Sequence, residues 1–441
     1  MNPTQQPYDF VISGSGLVGG VLACGLHDAG YRVAVIEPTQ RSTNSQPSHD
    51  DRTLAINAAS LNILSGLGLL PDHLVRCPIR HIEITHARGL GHLTLSATDH
   101  DRDHFGAVII ARELGNTMLA ALQQRATLDT QDSLDTHHSS SRPGSDDGGC
   151  PRNFENDGCP RYLIHEYCPA ELASFTQDDD LVTVSLSDGR TLTTKVLVGA
   201  DGTHSRVRES AGMRCHAHDY GQTAMIFTTA PEHPTPDTAH ERFTAQGPLA
   251  VLPLAKGRAG IVWIDQTEKV EDALTLSDDA LAAQLQARLN SRLGAMRKLG
   301  KRATYPLVMR HTPTPVNRRV VVVGNAANAV HPVSAQGLNL GLRDAAMFIE
   351  VMTDLIKQQP DSDPVTQLSR YAQLRAEDQA ATVRYTDTLA RGFAHPWPLA
   401  RWVSGLGLAA HAAAPPLSRR LAQAAMGFRQ PVSRLAAGIG S

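Results

Sequence analysis

One glycine-rich turn near the start of this 441-residue chain constrains its fold more than any other feature. The turn, Gly14-Ser15-Gly16-Leu17-Val18-Gly19, follows a short apolar run, and small and apolar residues then recur at helical spacing to Ala29. A second apolar run over residues 32–37 is typical of a buried strand. A strand, a G-x-G-x-x-G turn, a helix and a second strand predict a Rossmann-type βαβ unit, and therefore an α/β fold.

The same turn supplies the residue types that a dinucleotide needs. Gly14 allows a tight turn, Gly16 lets backbone N–H groups approach a pyrophosphate at the positive end of the helix, and Gly19 lets helix and strand pack closely. Glu37, at the end of the next strand and about 20 residues on, can accept hydrogen bonds from both hydroxyls of an adenosine ribose. We therefore predict binding of NAD or FAD. For Glu37 alone, a solvated charge at a strand end is the alternative interpretation.

Composition and charge exclude several other classes of protein. With 41% hydrophobic and 19% charged residues the chain is globular, and its length predicts two or three domains. A net charge of −3 gives no global basic field, so we expect no nucleic-acid partner. The six cysteines contain no C-x-x-C pair and are too sparse for a disulfide scaffold. No long apolar run occurs, so we expect neither a signal peptide nor a membrane span, and a cytoplasmic location.

Changes of pattern predict that the chain leaves its first domain and returns to it. Strand-like alternation over residues 79–95 is followed by a strand and a helix over 106–124, and strand-like segments recur between 220 and 264. The predicted parts are a first domain over 1–76, 106–215 and 302–358, a sheet-based second domain over 77–105 and 216–301, and a C-terminal helical region over 359–441.

Residues 129–161 differ from the rest, because Ser, Asp, His, Gly and Pro dominate there. This content is too polar to offset the entropy of ordering, so we predict a disordered surface insertion. His137, His138, Cys150 and Cys159 lie in it, but their spacings match no zinc pattern. We therefore predict no metal site.

The last 51 residues, 391–441, contain six arginines, no acidic residue, and both Trp397 and Trp402. Such a segment suits peripheral contact with an anionic membrane surface, here the inner face of the cytoplasmic membrane. The alternative is a terminal helical region packed on the body with a solvated arginine face, since Pro396, Pro398, Pro415 and Pro416 interrupt any long amphipathic helix.

Three separated motifs resemble those of the class A FAD-dependent aromatic hydroxylases. The segment from Val320 to Asp344 resembles their G-D-A-A-H-x-x-x-P-x-x-G-Q-G-x-N-x-G-x-x-D motif, and Gly199-Ala200-Asp201-Gly202 resembles their D-G motif. The segments around Arg52 and Arg112 resemble their flavin-contacting arginines. The glycine turn and this resemblance together predict the following FAD-contacting residues: Gly14, Gly16, Gly19, Glu37, Arg52, Arg112, Asp201, Gly202, Gly324, Asn325, Pro332, Gln336, Gly337, Leu338 and Asn339.

Within that family the chain most resembles the UbiH-type branch of ubiquinone biosynthesis. Asn325, where most members have Asp, and C-terminal residues such as Tyr371, Arg375 and Asp378 carry this closer resemblance. It implies the p-hydroxybenzoate-hydroxylase-like fold, in which the first domain binds FAD and the second binds substrate. Asn325 keeps an acceptor oxygen but loses the charge, which implies a weaker flavin contact. Asn328 stands where His is common and Ala335 replaces a Gly, but neither change removes a group that must react.

The resemblance also implies a reaction. NAD(P)H would reduce the flavin, O₂ would add at its C4a atom, and the distal oxygen would pass to the ring of a polyprenyl phenol of the 2-octaprenyl-6-methoxyphenol type. A lipid substrate favours delivery from the membrane and a place in a ubiquinone-biosynthesis complex. His331, Tyr220 and Tyr305 are candidates for a base or proton relay, but an ordinary hydrogen-bonding role in the core or at the surface is the favoured interpretation of each.

Three alternatives stay open from the sequence. The first is a sister hydroxylase that acts on another ring carbon of the same pathway. The second is a different oxidoreductase on this fold, either a flavin dehydrogenase or an oxygenase for a soluble aromatic compound. The third is a flavin-poor scaffold that holds lipid intermediates in a biosynthetic complex, to which Asn325, Asn328 and Ala335 would point.

Overall fold

The computed structural model describes most of the chain. The described residues are 6–40, 51–87, 92–127, 164–244, 246–358, 362–394 and 422–439. The insertion predicted over 129–161 lies outside them, with its histidines and cysteines, and so do Trp397, Trp402 and the arginines at 401, 419 and 420.

The strands form three sheets. They are β1 (Tyr8–Ser13), β2 (Val33–Ile36), β3 (Thr53–Asn57), β4 (Cys77–Ile79), β5 (His81–His86), β6 (His92–Ser96), β7 (Gly106–Ile110), β8 (His165–Tyr167), β9 (Leu172–Gln177), β10 (Val182–Leu186), β11 (Thr191–Gly199), β12 (His216–Pro231), β13 (Thr238–Phe243), β14 (Pro248–Pro253), β15 (Ala259–Gln266), β16 (Met296–Arg297), β17 (Ala303–His311), β18 (Val316–Asn317), β19 (Val320–Val322) and β20 (Asn328–Ala329).

The helices cover the sheets and separate them. They are α1 (Leu17–Asp28), α2 (Ala58–Gly66), α3 (Ala111–Thr127), α4 (Arg206–Ser210), α5 (Thr267–Leu274), α6 (Asp278–Arg288), α7 (Gln336–Gln358), α8 (Val365–Ala394) and α9 (Arg434–Ala437). Residues 422–426 are also helical. Within the described residues, no helix is both long and apolar enough to cross a membrane.

The first sheet has the order β18-β19-β11-β1-β2-β8, and β10 and β9 extend it beside β11. Strand β1 lies in its interior, parallel to both β2 and β11. Its successive residues pack on opposite faces, with Phe10 and Ile12 in one core cluster and Val11 in the other. The carboxyl ends of β1 and β11 therefore meet, which brings the glycine turn beside the D-G motif.

The second sheet has the order β20-β17-β12-β15-β14-β13-β5-β6 and is largely antiparallel, with β16 paired to β12. A third sheet, β3-β7-β4, lies beside it. Strand pairing places Ala303–His311 in the second sheet, although the predicted first domain includes 302–358, and it places Cys77–Ile79 in the third sheet. The predicted domain division stays a prediction.

Candidate active-site cavity

The glycine turn between β1 and α1 is an open cradle at a helix end. Gly14 has φ +99°, and a Cβ on it would lie 2.5 Å from the carbonyl oxygen of Ala200. A Cβ on Gly19 would lie 2.0 Å from the carbonyl oxygen of Gly14. Gly16 caps α1 without a side-chain bond, and a Cβ there would meet nothing within 4 Å. The unpaired N–H groups of the α1 N-terminus thus face open space, as a pyrophosphate requires.

Glu37 lies beside this turn and is buried, so its interpretation as a solvated strand-end charge is wrong. One carboxylate oxygen accepts hydrogen bonds from the Ser15 N–H (2.9 Å) and the Ser15 hydroxyl (2.8 Å), and the other accepts from the Thr39 N–H (3.1 Å). A carboxylate has about four acceptor positions, so one remains for a ribose hydroxyl. That Glu37 binds both ribose hydroxyls stays a prediction.

The D-G motif completes the cradle. The Cα of Asp201 lies 3.1 Å from the position of a Gly14 Cβ, and Gly202 has φ +82°. One carboxylate oxygen of Asp201 accepts a hydrogen bond from the Val207 N–H (3.1 Å), whereas the other is buried without a partner among the described residues. Buried polar atoms are rarely left unpaired, so this oxygen fits a hydroxyl of a bound ligand.

A cavity of about 1290 Å³ lies between the second sheet, the turn before α7, and helix α8. Seven of the predicted residues line it: Arg52, Asn325, Pro332, Gln336, Gly337, Leu338 and Asn339. Gly324 packs beneath the same segment, since a Cβ on it would lie 3.2 Å from Val18 of α1. Arg112, at the start of α3, does not line the cavity. Its exposed guanidinium lies 2.6 Å from the carboxylate of Asp51, which precedes β3.

The turn before α7 and the first residues of that helix line this cavity. Ser334 and Ala335 have φ +60° and +51°, a left-handed conformation that glycine adopts more easily than alanine. The Asn339 amide donates to the carbonyl oxygens of Ala335 (2.7 Å) and Ala55 (2.9 Å) and accepts from the Asn57 N–H (3.0 Å). Asn339 therefore fixes the turn to β3, and the positive end of α7 faces the cavity.

The three candidate bases have different surroundings. His331 is buried, its Nδ1 accepts from the Val333 N–H (3.2 Å), and its Nε2 lies 3.3 Å from the Gln222 side-chain oxygen. Burial lowers the pKa of His331 to about 4, so a neutral ring holds the turn in place. Tyr220 donates to Asp387 (2.8 Å) and is not among the lining residues. Tyr305 lines the cavity, with the Arg52 guanidinium 4.7 Å from its ring centroid.

Glu241 is a cavity residue that the sequence interpretation missed. It is the only carboxylate among the described residues that line the cavity, and it makes no hydrogen bond or ion pair with any described residue. Burial raises its pKa to about 7. The alternation of β13 was a usable signal, because it places Glu241 on the same face as the apolar Ala239 and Phe243.

Comparison with known proteins finds an FAD-binding family model and relatives that are named ubiquinone-pathway hydroxylases. A family model described as "FAD binding domain" matches residues 163–385. The 3-demethoxyubiquinol 3-hydroxylase of Escherichia coli (strain K12) is 31% identical over 430 residues, which cover 96% of this chain and 100% of that protein. The ubiquinone hydroxylase UbiL of Rhodospirillum rubrum is 31% identical over 425 residues, covering 95% and 89%.

Among solved structures, a variant of Klebsiella pneumoniae HpxO complexed with FAD matches with a TM-score of 0.69 at 14% identity. The match covers 95% of this chain and 99% of that one. At this identity the likeness shows the fold alone, and it confirms the predicted fold class.

Proposed function

This chain belongs to the family of FAD-dependent aromatic-ring hydroxylases that includes the ubiquinone hydroxylases, and we propose that its substrate is a polyprenyl methoxyphenol of the 2-octaprenyl-6-methoxyphenol type. FAD, when bound, supplies the oxygen-transfer chemistry with NAD(P)H and O₂ as co-substrates. The protein supplies binding, orientation and the exclusion of water.

The observation that carries the substrate proposal is the apolar lining of the cavity. Its volume of about 1290 Å³ exceeds the roughly 300–1,000 Å³ that is typical of pockets for drug-sized ligands, which leaves room for a substrate beside the ring system of FAD. The turn before α7 supplies polar groups along one wall of the cavity. Apolar side chains from the second and third sheets and the segment before β7 form another wall: Ile79, Ile82, Ile84, Leu95, Phe105 and Leu252. Such a cavity suits a polar ring joined to a long apolar tail.

The predicted cofactor residues divide into two groups by position. The α1 N-terminus, Glu37 and Asp201 would hold the pyrophosphate and adenosine, because they surround the glycine cradle. Asn325 and the N–H groups at the start of α7 would face the ring system of FAD, because they line the cavity. A helix N-terminus stabilises negative charge, which suits the pyrimidine end of a reduced flavin.

A second candidate is hydroxylation at a different ring carbon of the same pathway. The name of the Escherichia coli relative, 3-demethoxyubiquinol 3-hydroxylase, favours it. The two candidates share cofactor, co-substrates and ring chemistry. They differ in the substituents already on the ring and in the position of the new hydroxyl.

The first experiment follows flavin absorbance anaerobically after mixing purified holoprotein with NADPH, with and without a 2-prenyl-6-methoxyphenol. Bleaching that the phenol accelerates supports the proposal, and mass spectrometry and NMR of the aerobic product then assign the ring carbon. A flavin that NADPH bleaches equally with and without the phenol contradicts the substrate class. Faster bleaching with a non-prenylated phenol than with its prenylated counterpart would favour a soluble aromatic substrate.

A membrane-bound substrate also raises the question of the basic C-terminal segment. Arg391 pairs with Asp387 (2.8 Å) and Arg434 with Asp354 (2.7 Å), so these two charges are used within the chain. Peripheral membrane contact therefore stays a proposal that rests mainly on residues 395–421, outside the described part. Co-sedimentation with vesicles of anionic and of neutral lipid tests it, and equal recovery with both would count against it.

A further inference from the structure

We propose that Glu241 is a catalytic residue that accepts the hydroxyl proton of a phenolic substrate and anchors that hydroxyl against β13. This assignment rests on the proposed function for the identity of the substrate, and on the geometry of the cavity for the identity of the residue. The sequence motifs of the chain do not include Glu241.

The second sheet forms an apolar wall in which Glu241 is isolated. In β13, Ala239 and Phe243 line the cavity on the same face, whereas the His240 ring nitrogen lies 2.8 Å from the Glu83 carboxylate on the other face. The cross-strand neighbours of Glu241 are Ile84 of β5 and Ala250 of β14, and both also line the cavity. The carboxylate thus has an apolar neighbour on each side.

A carboxylate in such surroundings is costly unless something pairs with it. Glu83 of β5, on the opposite face of this sheet, is a carboxylate with a purely structural role. It accepts a hydrogen bond from His92 (2.7 Å) and lies 2.6 Å from the Arg292 guanidinium. Glu241 has no such partner among the described residues, so a donor on the substrate is the natural complement of its free oxygens.

Glu241 lies near the end of the cavity that the turn before α7 forms. Burial raises the pKa of the Tyr385 hydroxyl on α8, and the Glu241 carboxylate lies near enough to raise it further. Tyr385 also lies beside Ser334, in the turn that carries Pro332 and leads into α7. Glu241 is therefore close to the part of the cavity where the flavin ring is proposed to lie.

The chemistry requires a proton acceptor at this place. When Glu241 takes the proton, the phenol O–H bond breaks, a carboxyl O–H bond forms, and the electron pair stays on the phenolic oxygen. The ring gains electron density at its ortho and para carbons, which promotes its attack on an electrophilic oxygen. O₂ and NAD(P)H remain the oxidant and reductant of the overall reaction, and the proton returns to solvent after turnover.

Among the described residues, the other titratable or charged side chains that line the cavity are not carboxylates. They are Arg52, His204, Tyr305, Arg310, His331, Tyr385 and Arg429. Burial raises the pKa of Glu241 toward neutrality, where a base can both hold and release a proton. The pKa of His331 is lowered to about 4, so His331 is a poor acceptor for a phenolic proton.

The test uses flavin-loaded wild type, Glu241→Gln and Glu241→Leu, with Glu271→Gln on exposed α5 as a charge-matched control. Binding is measured by equilibrium dialysis for 2-methoxyphenol and for 1,2-dimethoxybenzene, which lacks the hydroxyl. A hydrogen bond to a charged group implies that wild type and control bind the phenol about 10- to 100-fold tighter than the ether. Glu241→Leu should reduce this ratio toward one, and Glu241→Gln should keep part of it.

Turnover gives the second readout. Glu241→Gln should lower the rate of hydroxylation of the prenylated methoxyphenol by about 10²-fold or more, while NAD(P)H oxidation continues and yields hydrogen peroxide. The rise of wild-type kcat with pH near 7 should disappear in this variant. Either a wild-type preference for the phenol in Glu241→Leu, or wild-type hydroxylation by Glu241→Gln, overturns the assignment.

The outcomes separate this assignment from the proposed function. If wild type hydroxylates no prenylated phenol but its preference for 2-methoxyphenol depends on Glu241, the proposed substrate is wrong and the role of Glu241 in binding phenols stands. If wild type hydroxylates the prenylated phenol and both Glu241 variants match it, the proposed function stands and the Glu241 assignment is wrong.

Discussion

Replacing Asp378 with asparagine should destabilise the protein strongly, because Asp378 belongs to a buried ionic network that joins α7 to α8. Arg343 donates to the Asp378 carboxylate at 2.9 and 3.3 Å, and Arg375 donates to it at 2.6 Å. Arg375 also donates to Asp344 at 2.6 Å. Because α7 begins at the cavity turn and α8 carries Tyr385, the network fixes two walls of the cavity.

The expected magnitude follows from the charge balance. Burial alone would raise the pKa of Asp378, yet the two guanidiniums hold it at about 2, so the carboxylate is charged at neutral pH. In Asp378→Asn, two buried guanidiniums face one carboxylate. Removing one partner of a buried pair costs about 3–5 kcal/mol, which for a chain of this length lowers the melting temperature by about 3–5 °C.

The assay is urea unfolding of the holoprotein, followed by circular dichroism and by release of the flavin. The control is the double variant Arg343→Met, Asp378→Leu, which removes one charge of each sign and leaves Arg375 paired with Asp344. It should lose much less stability than Asp378→Asn, since apolar residues often replace a buried pair at little cost. Equal midpoints for wild type and Asp378→Asn, or a double variant as unstable as the two single changes added together, would refute the reasoning.

Three further predictions rest on single residues. Gly14→Ala should release FAD and cost more than about 1 kcal/mol, because the left-handed φ and the 2.5 Å contact with Ala200 exclude a Cβ; flavin retained after gel filtration measures this. The contribution of Glu241 to stability should fall by about 2–3 kcal/mol as pH rises from about 4.3 to 7, because at this residue the folded state binds more protons than the unfolded chain. The lowered pKa of His331 acts in the opposite direction over the same range, so the contribution is measured as the difference between wild type and Glu241→Leu in denaturant unfolding across pH. Tyr220→Phe should cost about 1 kcal/mol and leave product yield per NAD(P)H unchanged, because the hydroxyl is bonded to Asp387 outside the cavity lining; product quantification checks it.

The sequence predicted the parts of the site that local geometry determines. A glycine with a left-handed φ between a strand and a helix has a recognisable spacing, so Gly14, Gly16 and Gly19 could be assigned before any coordinates. The motif from Gly324 to Asn339 is likewise one continuous turn and helix start, and most of its assigned residues line the cavity.

What the sequence did not predict depends on long-range pairing. Glu241 faces the cavity because β13 pairs with β5 and β14, which are separated from it in different directions along the chain. Asp378 was noted only as part of a resemblance, since its partner Arg343 lies 35 residues away. The assignment of β17 to the second sheet has the same cause, because its own alternation does not reveal β12 as its partner.

The three departures from the family motif, at Asn325, Asn328 and Ala335, have different structural effects, and none of them closes the cofactor site. Asn328 accepts a hydrogen bond from the His311 ring (2.7 Å), so it joins β20 to β17 and has a structural role. Ala335 keeps the left-handed conformation of the glycine it replaces, at a cost in strain, and its carbonyl is held by Asn339. Asn325 still lines the cavity and still offers an acceptor oxygen. The open α1 N-terminus and the Asp201 oxygen that has no described partner are unaffected by these changes, so the departures do not favour a scaffold that has lost its flavin.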